Sequence, residues 1–388
     1  MFTISEADGG DRRWRRCGVV AYALVAVFVL VVVPPFGISL VTQALGFAIA
    51  AMGLQVAVGA AGLPSLGHGA FLGFGAYAAV WLLDEVRAPL ALIPLGVFAL
   101  GAAAGAAVGS TTPRIQGFYL SLTTFALAAV FPAVIKRLDS LTGGVGGARV
   151  RSPLTAPGWT GIRAAHHWRF LVAAGALAVC CSLLRSLRRS RSGRAVLAVR
   201  DHAPSAEAMG VSRRRTLTAA FACSAGFSAL GGAVMVLGFP FVGPERYGLI
   251  VSVQLFVAVA LGGAASIEGA AAGGVAVFLV PWLSVQLHLP VGPNLLLGLS
   301  VLALGLSAQT GLAGAARRLE RVVFTRVPAV PDRPAEREGA AGEGRTQRAE
   351  ATLVGAASWA AAGGEVEVWD LGRLDELAPP GRADRPRR

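Results

Sequence analysis

Charge is what this sequence has little of. Asp, Glu, Lys and Arg make up 15% of its 388 residues, where a soluble domain carries about 25%. With a mean hydropathy of +0.62, that shortage excludes an ordinary soluble chain. Lysine is nearly missing, Lys136 being the only one, so the net charge of +13 rests on arginine. The arginines gather at the ends of apolar segments and near the C-terminus rather than along one amphipathic face. That distribution excludes a nucleic-acid surface and matches the positive-inside pattern of membrane proteins. Cysteine is scarce too: Cys17, Cys180, Cys181 and Cys223 lie in or beside apolar runs, with no CxxC spacing and no histidine partner. They read as small buried hydrophobes, not as a metal or redox centre. No Gly-x4-Gly-Lys-Ser/Thr occurs, so the chain has no P-loop with which to hydrolyse ATP. No apolar run holds an ionisable residue clearly at its centre, and Gln43, Gln55 and Gln254 are its strongest polar groups. Ion-coupled carriers place ionisable groups there. The absences together point away from an enzyme, a cofactor, a metal site and proton or sodium coupling.

What is abundant is uncharged apolar sequence and, at 50 residues, glycine. A spanning helix needs roughly 20 apolar residues, and close helix packing in a bilayer uses small ones. Ten spans are expected, near 17–37, 39–60, 67–83, 89–109, 117–135, 168–185, 216–238, 248–264, 267–287 and 293–311. Residues 1–16 form a basic N-terminus (Arg12, Arg13, Arg15, Arg16), and the apolar run after it ends in Pro34-Pro35 without a small-x-small cleavage site. It reads as an uncleaved first span, not a signal peptide. The densest arginine cluster between spans lies in 186–215, and a third cluster, Arg317, Arg318 and Arg321, follows the last span. Six spans separate the first two clusters and four the last two, so one N-in/C-in topology places all three in the cytoplasm. The loop 136–167 opposes that scheme: it would face outward carrying Lys136, Arg137, Arg149, Arg151 and Arg163 against Asp139 alone. The reading is an all-α integral protein of the cell membrane. Residues 17–311 form its transmembrane domain, with a basic cytoplasmic tail over 312–388. From 326 onward that tail is rich in Pro, Gly, Arg and Glu and is expected to be largely disordered.

Three stretches carry the functional signal. In the first, Gly62-Leu63-Pro64-Ser65-Leu66-Gly67-His68-Gly69, a helix ends and another begins at once, with Gly69 and Gly73 four residues apart. Pro64 breaks the backbone ladder, and irregular backbone at membrane depth is tolerated where it lines a cavity or packs inside protein. A pathway-lining element and a tight interhelical turn therefore both remain open. His68 is the one histidine in the first three spans, with no carboxylate near it in sequence. A helix-start residue making local hydrogen bonds is the reading beside a substrate ligand. The second stretch, Gly193 to Val211, places Pro204 in the first turn of a short helix and Gly210 at its C-terminal cap. The element would project from a cytoplasmic loop. The third, Leu261 to Gly269 with Gly273-Gly274, joins two spans through a Gly-rich turn in which Glu268 reaches water.

In these motifs the chain resembles the permease family of bacterial branched-chain amino-acid ABC importers, in particular its LivM branch. The family's Ser-Leu-Gly-His-x-x-Phe-x-x-x-Gly-Ala-Tyr stretch is matched from Ser65 to Tyr77. Its Asp-Ser-Leu-Thr-Gly-Gly stretch is matched from Asp139 to Gly144, its Gly-Arg-Ala block from Gly193 to Gly210, and its Leu-Gly-Gly turn from Leu261 to Gly269. The resemblance implies a type II ABC importer-like fold. It makes 193–210 the helix that couples to a separate ATP-binding subunit, through Arg194, Arg200, Asp201, Glu207 and Gly210. It places Pro64, Ser65, Gly67, His68, Gly69, Gly73 and Gln254 along the translocation path. Thr142, Gly143 and Gly144 would lie where an extracytoplasmic solute-binding protein docks, and a second permease subunit would complete the pore. Three departures stand out: Pro64 precedes the serine, Gln254 stands where members commonly have Glu, and Ala265 replaces a glycine. Urea and short-chain amide importers share nearly the same pattern. A self-sufficient channel or secondary carrier is the alternative from another class, and it would need no partner.

Overall fold

A computed structural model describes residues 27–89, 92–111, 118–152, 154 and 164–286, with 292, 295 and 298 as isolated positions. All belong to the unit Met1–Thr325. The predicted span 293–311 and the tail 326–388 lie outside the described residues except at 295 and 298. Of the first predicted span, residues 27–37 are described: 27–32 are helical, the helix breaks at 33–34, and 35–37 already belong to the next helix.

Eight of the expected spans correspond to described helices. They are α1 (Pro35–Gln55), α2 (His68–Asp84), α3 (Ile93–Gly109), α4 (Phe118–Arg137), α6 (Ala165–Arg189), α9 (Arg213–Gly238), α10 (Leu249–Gly262) and α11 (Ile267–Gln286). Between them lie three short helices, α5 (Asp139–Thr142), α7 (Arg191–Asp201) and α8 (Ala203–Ala208). Five helices among the described residues are long and apolar enough to cross a membrane: α1 with its continuation to Ala60, α4, α6, α9 and α11. The apolar α3 and α10 are shorter; at 1.5 Å per residue the 17 residues of α3 cover about 25 Å.

The centre of the bundle is α9, against which α1, α2 and α3 all pack. Glycine makes these approaches possible. A methyl group on Gly75 of α2 would lie 1.9 Å from the Ala229 carbonyl oxygen of α9, and one on Gly232 of α9 would lie 1.9 Å from that of Leu72. On α3, Gly101, Gly105 and Gly109 face Ala229, Ala225 and Phe221 of α9 in turn. Four-residue spacing sets these glycines on one face, and the close backbone contact replaces the hydrophobic drive that lipid removes.

Two features differ from expectation. The span 39–60 does not run as one α-helix: α1 stops at Gln55 and continues as a π-helical turn, Val56–Ala60, before the chain reaches Gly62. The loop 186–215 holds two helices rather than one. Ser190 caps α7 by accepting from the Gly193 amide at 3.2 Å. His202 then breaks the helix and caps α8, its Nδ1 accepting from the Ser205 amide at 3.2 Å.

At the other end of the bundle, β1 (Ala148–Arg149) pairs antiparallel with β2 (Phe241–Val242), with Ala148 opposite Val242. This ties the loop after α4 to the end of α9. Asp84, at the last turn of α2, holds the same loop: its carboxylate accepts from the Arg151 amide (2.8 Å), the Ser152 amide (2.9 Å) and the Ser152 hydroxyl (2.8 Å). Burial alone would raise the Asp84 pKa, but these donors and the nearby Arg151 charge outweigh it and hold the carboxyl below its ordinary range.

Candidate functional site

The break between α1 and α2 is a buried polar knot. Ser65 and His68 are both 0% exposed. Ser65 Oγ lies 2.9 Å from His68 Nδ1, and His68 Nε2 lies 2.7 Å from Ser224 Oγ of α9. The Ser224 hydroxyl donates to the Gly53 carbonyl of α1 at 2.6 Å. A hydroxyl has one hydrogen, so Ser224 must accept from His68, which therefore carries its proton on Nε2 and accepts from Ser65 on Nδ1. Phe71 and Phe221 close over the imidazole edge-on, at centroid distances of 5.7 and 5.6 Å.

The first amide groups of a helix have no partner within it, and lipid offers none. Here neighbouring side chains supply them. The Leu66 amide donates to Thr124 Oγ1 at 3.0 Å, the Gly67 amide to Ser65 Oγ at 3.4 Å, and the Gly69 amide to Ser252 Oγ of α10 at 3.0 Å. The Ser121 hydroxyl donates to the Pro64 carbonyl at 3.3 Å, which fastens the proline segment to α4. Ser65, Gly67, His68 and Gly69 are thus brought together, with Pro64 at the half-buried rim. Gly73 follows one turn on, pressed against Phe131 and Tyr247. Gln254 is not in this knot: it sits half-buried two residues beyond Ser252 on α10, past the side of the helix that meets Gly69. Sequence alone did not single out Ser224, Ser252, Thr124 or Ser121. Each is a hydroxyl in an apolar helix, and only tertiary proximity gives it a role.

Below the break lies the α7–α8 element. The Arg200 guanidinium donates through Nη1 to the Gly59 carbonyl at 2.6 Å and through Nε to Asp201 Oδ1 at 2.9 Å. Gly59 belongs to the π-helical turn, whose register leaves carbonyls free of the ordinary ladder. Gly62, at φ +66°, leaves room for the Arg200 stem, since a methyl there would meet its Cγ at 2.8 Å. Arg188 donates to the Ala265 carbonyl at 2.7 Å, and Arg185 donates to Glu268 Oε1 at 2.5 Å. Glu268 therefore meets an arginine, not water alone. Gln55 closes the circuit by donating to the Ala264 carbonyl at 2.8 Å. Three arginines, Arg200 in the element and Arg185 and Arg188 just before it, thereby grip the end of the α1 extension, the α10–α11 turn and the start of α11.

The element also has an apolar root. Val199 and Ala206 are buried with Ala57, Leu63, Leu217 and Phe221. Its far side is bare: Asp201, Glu207 and Gly210 are exposed, and Met209 is 85% exposed. Gly210 has φ +83° and no atom within 4 Å of a methyl placed there. Arg194 is exposed and donates back to the Arg189 carbonyl at 2.8 Å. Between α7 and the bundle lies a cleft of about 240 Å³ that includes Gln55, Leu187 and Val196. The element thus has a buried root, an open outer face and a cleft along its inner side.

At the opposite end, Gly143 and Gly144 have φ values of +71° and +55° and turn the chain sharply after α5. Thr142 is buried, its hydroxyl within 2.7 Å of the Ile135 carbonyl and 2.8 Å of that of Leu138. It pins the turn from inside. Asp139, Ser140, Leu141 and Val145 are exposed there, Val145 by 78%. Among the described residues no group of three or more His, Cys, Asp or Glu is placed to hold a metal ion.

A family model described as branched-chain amino acid transport system / permease component matches residues 37–308. Over 270 residues the chain is 29% identical to the high-affinity branched-chain amino acid transport system permease protein LivM of Escherichia coli (strain K12). Over 273 residues it is 28% identical to the protein of the same name from Salmonella typhimurium (strain LT2). Each alignment covers 63% of this chain and 63% of the relative, so the chain spans less than two thirds of the relatives it matches. No solved structure matches it. The matched region contains the broken helix, the α7–α8 element and the Gly-rich turn, and on that breadth this membrane-embedded chain belongs to the branched-chain amino acid transport system permease-component family.

Proposed function

We propose that the chain is the transmembrane permease subunit of an ATP-driven ABC importer, translocating branched-chain or related amino acids that an extracytoplasmic binding protein delivers. It spans the cell membrane ten times, with both termini in the cytoplasm. It couples to ATP-binding subunits through α7–α8 and forms its path with a second permease subunit. Arg194, Arg200, Asp201, Glu207 and Gly210 make the coupling element; Gly143 and Gly144 shape the turn at which the binding protein docks, with Thr142 as its internal pin. The Pro64–Gly73 segment and Gln254 border the translocation path.

The observation that carries this reading is the α7–α8 element itself. Its open face holds Glu207 and Met209, while its base is tied by Arg200 to the π-helical end of α1. A push on the exposed face is thereby delivered to the backbone next to the broken helix. Bistable packed elements convert such displacements into discrete rearrangements. A self-sufficient carrier has no use for a tethered lever, and no ionisable group sits at the centre of a predicted span.

The test is affinity purification of the tagged chain from its own membranes in mild detergent, beside the Glu207→Lys variant. The expected result is recovery of a P-loop ATPase with the wild-type chain and loss of that ATPase with Glu207→Lys at equal membrane abundance. Wild-type protein that purifies alone and moves leucine in liposomes without ATP would replace the importer by a carrier.

A further inference from the structure

An apolar cleft among the described residues has no role in the reading above. It encloses about 530 Å³ between α2, α3, α6 and α9, with Ala79, Ile93, Phe98, Ala176, Leu183 and Phe227 among its walls. All of these side chains are apolar. The residues come from the Asp84 end of α2, the Ile93 end of α3 and the Gly238 end of α9, so the cleft lies toward the end of the bundle opposite α7–α8. Along α6 it extends from Val172 to Leu183. At 1.5 Å per residue that is about 16 Å, close to half of the roughly 30 Å hydrocarbon core of a bilayer. The walls of such a groove gain dispersion contacts when apolar atoms lie along them; in a membrane the apolar chains at that depth are acyl tails.

A second, polar cleft of about 500 Å³ adjoins the first and shares Leu83 with it. Its walls include Arg87, Arg151, Ser152 and Asp84. The Asp84 carboxylate is already occupied by the Arg151 and Ser152 amides and the Ser152 hydroxyl. Neither Arg87 nor Arg151 has its guanidinium in an ion pair among the described residues. Arg87 is held at φ +53°, the one non-glycine position with positive φ among them. That conformation is unfavourable for a side chain, yet arginine and not glycine stands there. A planar guanidinium suits bidentate contact with phosphate oxygens.

We infer that the joined clefts hold one anionic phospholipid, its acyl chain between α2, α3, α6 and α9 and its phosphate at Arg87 and Arg151. On the proposed topology it belongs to the outer leaflet. The same binding accounts for Arg151, one of the basic residues in the outward loop that run against the general bias of membrane proteins: an anionic headgroup neutralises it locally.

The test is native mass spectrometry of the full chain in mild detergent, titrated with phosphatidylglycerol and with phosphatidylcholine of identical chains. One phosphatidylglycerol per chain is expected, bound at least tenfold more tightly than phosphatidylcholine. In the double variant Arg87→Gly/Arg151→Gln the preference disappears. Folding is not the cause, because glycine relieves the positive φ at 87, and the Arg151 amide that meets Asp84 is retained; a melting temperature no lower than that of the wild-type chain checks both points. In Ala176→Phe, which fills the apolar cleft, both lipids bind at least fivefold more weakly. Glycerol phosphate, a headgroup without tails, does not compete at millimolar concentration. Equal binding of the two lipids by the wild-type chain, an unchanged preference in the double variant, or full displacement by glycerol phosphate would each overturn the assignment.

Discussion

Gly210 offers the sharpest test of the proposed coupling role of α7–α8, through a pair of substitutions that differ only in backbone tolerance. The residue ends α8 at φ +83°, with nothing within 4 Å of a methyl placed on it. Gly210→Ala therefore creates no clash, and its whole cost is the left-handed conformation, about 1–2 kcal/mol for an ordinary L-residue. The six residues of α8 have little to set against that. Ala206 is its one buried side chain, and the His202 cap contributes bonds of 3.2 Å to the Ser205 amide and 2.7 Å to its hydroxyl. A neutral hydrogen bond of this kind is worth about 1 kcal/mol net. The strain is thus comparable to what orders the end of α8, and it lowers the population of the docking-competent form by up to about 5–30-fold. Apparent affinity for the ATPase falls by the same factor. Gly210→Asn should stay within about twofold of wild type, because asparagine adopts the left-handed region readily. The assay is ATP-driven leucine uptake into proteoliposomes at limiting ATPase subunit, with the permease inserted at equal density. Full uptake by Gly210→Ala, or an equal defect in Gly210→Asn, would refute the reasoning.

The remaining predictions concern stability. Gly75→Ala, whose methyl would lie 1.9 Å from the Ala229 carbonyl oxygen, should destabilise by about 1–3 kcal/mol through overpacking. Gly175→Ala on α6 has nothing within 4 Å and should stabilise by about 0.5–1 kcal/mol through helix propensity. Thermal unfolding read by a thiol-reactive dye on buried Cys180 separates the two, and a shift of the same sign in both would contradict the packing account. For Asp84, a carboxyl held below its ordinary range contributes stability that is present above the unfolded pKa and lost as pH falls through the lower folded value. Hydrogen exchange at the Arg151 and Ser152 amides should therefore show constant protection from pH 5 to 8 and loss only below the ordinary carboxylate range. Asp84→Asn should weaken that protection at pH 7; loss of wild-type protection already at pH 6 would count against the network.

Much of the fold was legible in the residues. Uncharged runs near 39–60, 67–83, 168–185 and 216–238 mark helices because lipid admits no unsatisfied backbone. Pro204 and Gly210 bracket a short helix for reasons local to the chain, and the structure puts Pro204 in its first turn and Gly210 at positive φ. Other features were not legible. The π-helical turn at Val56–Ala60 carries no proline or charge, and it faces the α10–α11 turn, where a methyl on Gly59 would meet the Ala264 carbonyl oxygen at 1.9 Å. Thr142 sits in a matched motif, yet its hydroxyl turns inward and leaves Leu141 and Val145 outside.

Composition and local chemistry were therefore enough to determine that the chain is built of apolar helices suited to a membrane, and where eight of them run. Those properties depend on burial of apolar surface and on backbone geometry, and both are written residue by residue. Which polar groups meet was decided only in three dimensions. His68 reaches Ser224 across 156 positions, and Arg200 reaches Gly59 across 141. A hydroxyl or a free carbonyl is chemically the same wherever it stands, and only helix packing selects its partner.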